Sequence, residues 1–170
     1  MIGLVPLDTV DAAAIESLLD RAFGRDRRTR TAYRIREGVP ADPSLSFAAL
    51  ERGTLIGTIQ CWPIALKHDD GGVTMLTMVG PVAVGPERQQ HGIGQELMRA
   101  SLEAAERTGA AQALMLIGDP EYYGRFFGFT ADRTAAWRVP GPVERHRLLA
   151  RGDAVPDAPG LLGPRVRVPA

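Results

Sequence analysis

The chain reads as an α/β (α+β) domain in which a mixed β-sheet is flanked by helices. Three observations predict it. Two apolar runs meet at Arg52-Gly53 as a β-hairpin, Val73 to Ile117 passes from strand to long amphipathic helix to strand, and Asp11 to Phe23 carries a further amphipathic helix. The 170 residues suit one domain, since domains average roughly 150 residues. Residues 1–150 are assigned to it, and 151–170 to a Pro-, Gly- and Arg-rich segment that packs on or trails from it. A hydrophobic share of 45% and a charged share of 24% exclude a disordered chain or a coiled coil.

Each element has a local cause. Ile15, Leu18, Leu19, Ala22 and Phe23 recur at helical spacing, with Thr9 or Asp11 as cap and Gly24 as stop. Arg27 to Glu37 is polar and arginine-rich, a short helix or a loop closed by Gly38, Pro40 and Pro43. The hairpin occupies Leu45 to Leu66, and His68-Asp69-Asp70-Gly71-Gly72 turns the chain. Val73 to Val84 is too apolar for a sheet edge and is placed centrally. Gly80-Pro81 interrupts it: proline lacks a ladder donor and glycine has no side chain to pack, which predicts a bulge or splay that exposes backbone groups. Ile93, Leu97, Ala100 and Ala104, widened by Met98, Leu102 and Ala105, form the apolar stripe of the long helix that Gly109 ends. Ala113 to Ile117 follows as a buried strand, parallel through a right-handed crossover. Asp119 to Gly128 is a capped short helix, and Thr134 to Pro140 is strand-like.

Composition narrows the partners. Twenty basic and 20 acidic residues give net charge zero, so no global field steers the chain to nucleic acid or an anionic membrane. The one cysteine, Cys61, allows neither an intrachain disulfide nor a four-cysteine zinc site, and His68 and His146 lack ligand spacing, so no metal is expected; His91 either touches a phosphate or faces solvent. Within its apolar strand Cys61 reads as a small buried hydrophobe, which disfavours a covalent relay. The N-terminus lacks a basic leader and no apolar stretch reaches membrane-spanning length, so a cytoplasmic location is expected. Arg25, Arg27, Arg28, Arg30, Arg34 and Arg36 read as a solvated face balanced by Asp26 and Glu37, with an anionic acceptor or partner as the sharper alternative.

The chemistry is concentrated in Gln89-Gln90-His91-Gly92-Ile93-Gly94, between the central strand and the start of the long helix. A helix N-terminus presents unpaired N–H groups and partial positive charge, and glycines let phosphates approach the backbone. The segment is therefore an anion cradle suited to a pyrophosphate. A dinucleotide fingerprint would need a small residue where Leu97 stands, and a phosphate loop would need a lysine after its glycine, whereas the only lysine is Lys67.

Gln89, Gly92 and Gly94 after an interrupted strand resemble the coenzyme A signature of the GCN5-related N-acetyltransferase (GNAT) superfamily. VGPVAVGPERQQHGIGQELM followed by LIGDPEYYGRFFGF is similar to its YhbS-like branch, most clearly from Val79 to Phe129 and by element order from Leu4 to Arg147. The resemblance implies a mixed, mostly antiparallel central sheet splayed in the middle, with acetyl-CoA in the opening. Backbone groups at Val82 and Val84 would pair the pantetheine arm, and the amides of Gln90, His91, Gly92, Ile93 and Gly94 would hold the pyrophosphate. A tyrosine on the helix after the next strand would protonate the leaving thiolate. Counting from Asp119-Pro120, Tyr123 is the first candidate and Tyr122 the second; both are kept because this chain has Phe126-Phe127 where the resemblance implies one phenylalanine. No carboxylate stands on the central strand, and Glu51, Glu87 or a terminal carboxylate could serve as base only through water, so that role is unassigned. The implied function is direct acetyl transfer from acetyl-CoA to a primary amine of a small molecule or peptide. A non-catalytic acyl-CoA-binding sensor or interaction module is the alternative. Acetyl-CoA and an amine acceptor are the expected partners, with a homodimer left open and neither membrane nor nucleic acid expected.

Overall fold

The computed structural model describes residues 2–89 and 92–165. Among the described residues the strands are β1 (Ile2–Pro6), β2 (Phe47–Glu51), β3 (Thr54–His68), β4 (Val73–Val84), β5 (Leu114–Ile117), β6 (Trp137–Arg138), β7 (Leu148–Arg151) and β8 (Gly160–Pro164). The α-helices are α1 (Ala12–Phe23), α2 (Thr31–Ile35), α3 (Ile93–Thr108) and α4 (Pro120–Phe127). The strands pair in the order β1-β2-β3-β4-β5-β7, with β8 joined to β3 and β6. The β4–β5 and β6–β8 pairs are parallel, whereas β1–β2, β2–β3, β3–β8 and β5–β7 are antiparallel. This is the mixed, mostly antiparallel sheet predicted. β4 and β5 register at Thr77↔Leu114 and Met78↔Met115, before the Gly80-Pro81 interruption. No helix among the described residues is long and apolar enough to cross a membrane.

The chain divides into two compact units. The first comprises Met1–Arg28, Ala41–Cys61 and Gly80–Thr108. Its hairpin turns at Arg52 (φ 51°) and Gly53 (φ 78°), the left-handed pair that a two-residue connection between twisted strands requires. α1 packs Ile15, Leu18 and Leu19 with Leu7, Ala48 and Ala83. Asp11 occupies the N-cap position but makes no side-chain cap bond, and the Thr9 hydroxyl donates to Pro6 O at 2.7 Å. α3 buries Ile93, Leu97, Met98, Ala104 and Ala105 as its periodicity predicts, while Ala100 and Leu102 are only half-buried. Ser101 joins the buried face because its hydroxyl donates to Leu45 O at 2.7 Å. β1, absent from the sequence reading, is a mostly exposed edge strand paired with β2. Arg27 departs from a solvated face: it is 1% exposed and pairs with Glu16 and Asp20 on α1.

The second unit comprises Thr29–Pro40, Trp62–Val79 and Gly109–Ala170. Ile35, Ile64, Leu66, Leu76, Met115, Trp137, Leu148 and Leu162 share its core. Arg36 is also buried, its guanidinium 3.6 Å from the centre of the Trp62 ring and 4.0 Å from that of Tyr33. Part of the arginine-rich segment is therefore anchored by ion pairs and aromatic faces. Other arginines donate to main-chain carbonyls of strands and loops. Arg145 donates to Thr134 O, Ala135 O and Trp137 O, and Arg165 to Ile64 O and Leu76 O. The C-terminal segment supplies β8, which pairs with β3 from Ile64↔Pro164 to His68↔Gly160.

Because Leu162 is buried in this core, Leu162→Ala is expected to cost about 2–5 kcal/mol in urea unfolding. Unchanged stability would contradict the seating of β8.

Candidate functional site

In the first unit β4 ends at Val84, and the turn Pro86–Arg88 leads toward α3. The β2–β3 hairpin holds this turn: Gly85 N donates to Ile56 O at 2.9 Å, and Arg88 pairs with Glu51. Gln89 is exposed and its amide donates back to Val84 O at 3.4 Å, so this motif residue closes the turn. Gly92 has φ 74°, and a Cβ placed there would meet nothing within 4 Å. The position requires a left-handed backbone and leaves room for an approaching group. The amides of Ile93, Gly94 and Gln95 stand in the first turn of α3, and first-turn amides of a helix have no partner within the helix. Together with the helix dipole they favour an anion.

The side chains beneath set the height of this turn. Ile93 is core, so only its backbone is available to a ligand. A Cβ on Gly94 would lie 3.7 Å from Val82 Cγ1 and 3.8 Å from Val84 Cγ2, which places both half-buried valines under the first turn. Gly57, which the sequence reading passed over, lets α3 approach β3. A Cβ there would come within 3.1 Å of both Ile93 and Leu97 and 3.2 Å of Ala83 O. Gln90 and His91 lie outside the described residues.

In the second unit α4 begins where Asp119 Oδ1 accepts from Glu121 N at 3.0 Å, with Pro120 at the first position, and stops at Gly128 (φ 75°). The Phe126-Phe127 pair is split: Phe127 is buried at 8% exposure and Phe126 is exposed at 49%. Tyr123 is half-buried and lies across Gly118, where a Cβ would fall 2.5 Å from Tyr123 Cε2. Gly118 is thus a notch for the ring, another residue the motif did not mark. Burial pushes the Tyr123 phenol above its ordinary value, the neighbouring Tyr122 adds to this, Arg147 opposes it, and Asp119 raises it further. Tyr122 meets Tyr123 edge-on at 4.9 Å and Phe126 at 5.3 Å. A protonated phenol held this way is a proton donor at neutral pH.

Cys61 is 1% exposed and burial pushes its thiol up to about 12, so it carries no thiolate at neutral pH. Glu51, one of the carboxylates considered as a base, is engaged by Arg88.

The acetyltransferase (GNAT) family model matches residues 12–129. A curated relative, the uncharacterized N-acetyltransferase YjhQ of Escherichia coli K12, is 30% identical over 141 residues, covering 82% of this chain and 77% of its own. Among solved structures, the GNAT family N-acetyltransferase YhbS of Escherichia coli, in complex with CoA, is 25% identical with a TM-score of 0.72, over 97% of this chain and 89% of that one. A GNAT family acetyltransferase of Brucella melitensis, in complex with acetyl-CoA, is 26% identical with a TM-score of 0.59, over 91% of this chain and 97% of that one.

Tyrosine ionisation followed by ultraviolet absorbance tests the Tyr123 environment. A phenol that ionises above the ordinary range is expected to vanish in Tyr123→Phe. Gly118→Ala, which displaces the ring, should move that step down toward an ordinary phenol. The unfolded phenol ionises first, so this contribution to stability is present below about pH 10 and is lost as pH rises through the higher native value. A titration that Tyr123→Phe leaves unaltered at its alkaline end would contradict the burial.

Proposed function

The chain belongs to the acetyltransferase (GNAT) family, and on that premise we propose that it transfers an acetyl group from acetyl-CoA directly to a primary amine of a small molecule or peptide. The observation that carries this reading is the turn into α3, where Gly92 has φ 74° and open space above it and the first turn of the helix follows at once. Such a cradle fits a diphosphate. The amides of Gly92, Ile93 and Gly94 hold that group, with Gln90 and His91 assigned to it on the resemblance alone. Backbone groups of Val82 and Val84 align the pantetheine arm. Bound acetyl-CoA supplies the activated acetyl thioester.

Tyr123 delivers the proton to the leaving sulfur. Its phenol, raised by burial, remains protonated at neutral pH, so the proton is still in place when the thiolate leaves. Tyr122, edge-on to it, is the second candidate. The buried thiol of Cys61 supports direct transfer over a cysteine relay. The single cysteine also suits a reducing, cytoplasmic setting.

One observation favours a second reading: β4 carries no carboxylate to take the acceptor's proton. A non-catalytic acyl-CoA sensor or interaction module would bind CoA and turn over no amine in a broad acceptor screen.

Thermal unfolding with CoA, acetyl-CoA or NAD tests the first step. A native-state ligand at about 100 times its Kd adds about 2.7 kcal/mol, roughly 5–10 °C here, and only the CoA species are expected to produce it. No shift with either CoA species on folded protein would overturn the proposal. In an acetyl-transfer assay Tyr123→Phe is expected to lower kcat about 100- to 10,000-fold with CoA affinity retained. Unchanged kcat would pass the role to Tyr122.

A further inference from the structure

We propose that Glu51 is a positioning residue for the anion cradle, acting through Arg88; the inference rests on the reading of that cradle as the coenzyme A site. Glu51 closes β2 and is held in ladders on both sides, opposite Ile2 of β1 and Thr54 of β3. Its backbone is a fixed mount at the tip of the hairpin. From there its carboxylate engages the Arg88 guanidinium, with the two side chains 22% and 38% exposed.

Arg88 ends the turn that links β4 to the cradle, and the turn is tied at its other end too. Gly85 N donates to Ile56 O at 2.9 Å, and Arg88 N donates to Gly85 O at 2.8 Å. The hairpin therefore grips the Gly85–Arg88 turn at both ends, by a backbone bond at Gly85 and by the ion pair at Arg88. Gln89 follows at once and its side chain folds back to Val84 O. Gly92, four residues after Arg88, has the left-handed backbone that aims the first amides of α3. With the turn fixed beforehand, a bound diphosphate orders less chain and loses less entropy.

The same contact argues against the simpler role for Arg88. A guanidinium one residue before the motif could be a phosphate ligand itself, but here the Glu51 carboxylate neutralises it and fixes its direction. The two roles predict opposite signs for loss of the carboxylate. A positioning pair weakens CoA binding when either partner is removed. A phosphate-binding arginine would be released by that loss and would bind CoA more tightly.

Calorimetric titration of CoA into the wild type, Glu51→Gln, Arg88→Gln and the double variant separates them. Each single variant is expected to bind CoA about two- to fivefold more weakly, the range for a partly exposed ion pair, and the double variant no more weakly than the singles. The KM for acetyl-CoA should rise in step while kcat at saturation is kept, and Arg88→Lys should recover part of the loss. In ligand-free protein, amide exchange at Gly92–Gln95 should quicken in Glu51→Gln, a readout independent of any ligand. Glu51→Asp, which keeps the charge but shortens the reach, should show the same quickening if Glu51→Gln does not fold. Equal or tighter CoA binding by Glu51→Gln, additive losses in the double variant, or a fall in kcat without a change in KM would each overturn the inference. A wild type that fails to bind CoA would instead overturn the functional reading. Exchange at Gly92–Gln95 would still decide whether the pair orders the turn.

Discussion

Backbone N–H groups in the first turn of a helix have no carbonyl behind them, and at α3 this constraint shapes everything nearby. Water can satisfy those donors at an ordinary helix start. Here the turn is lowered onto the end of β4: Gly94 sits over Val82 and Val84, Ile93 is sunk into the core, and Gly57 removes the Cβ that would hold Ile93 and Leu97 away from β3. Gly92 then leaves the space above the donors open. A hydrophobic seat thus fixes the position of polar groups. Burial of Ile93 and Leu97 supplies stability that the unpaired amides do not, at about 1.5–3 kcal/mol per large aliphatic side chain fully buried.

The tyrosine helix follows the same logic in the second unit. α4 is short, so propensity alone would not hold it, and it relies on Asp119 as cap, Gly128 as stop and Phe127 as anchor. Removing one Cβ, at Gly118, makes room for the Tyr123 ring, and aromatic neighbours at 4.9 to 6.5 Å surround it. Desolvation then keeps the phenol in its neutral form. Packing keeps this group protonated.

Much of this was legible in the sequence where a local rule decided the outcome. Arg52-Gly53 fixed a hairpin turn, Val73 to Val84 was a strand because it is rich in β-branched and apolar residues, and the stripe through Ile93, Leu97 and Ala104 matches the buried face of α3. The rest depended on partners far along the chain. β1 exposes most of its residues and owes its extension to β2, and β8 exists because Gly160 to Pro164 finds β3. Arg27 and Arg36 look solvated by composition, yet carboxylates of α1 and the faces of Trp62 and Tyr33 bury them. Ser101 interrupts an apolar stripe and is buried only because Leu45 O lies opposite. At the site, the glycine signature stood out, whereas Gly57 and Gly118 carry no pattern of their own. Their role is an absent Cβ, visible only against the side chains that fill the space.

In the proposed function the backbone at the start of α3 receives the ligand's diphosphate. The most direct measurement is a nitrogen-15 amide NMR titration with CoA, compared with pantetheine, which lacks the diphosphate. CoA is predicted to shift the Gly92, Ile93 and Gly94 amides strongly, and pantetheine to leave these three nearly unmoved. Binding of CoA that shifts other residues while Gly92 to Gly94 stay in place would contradict the account.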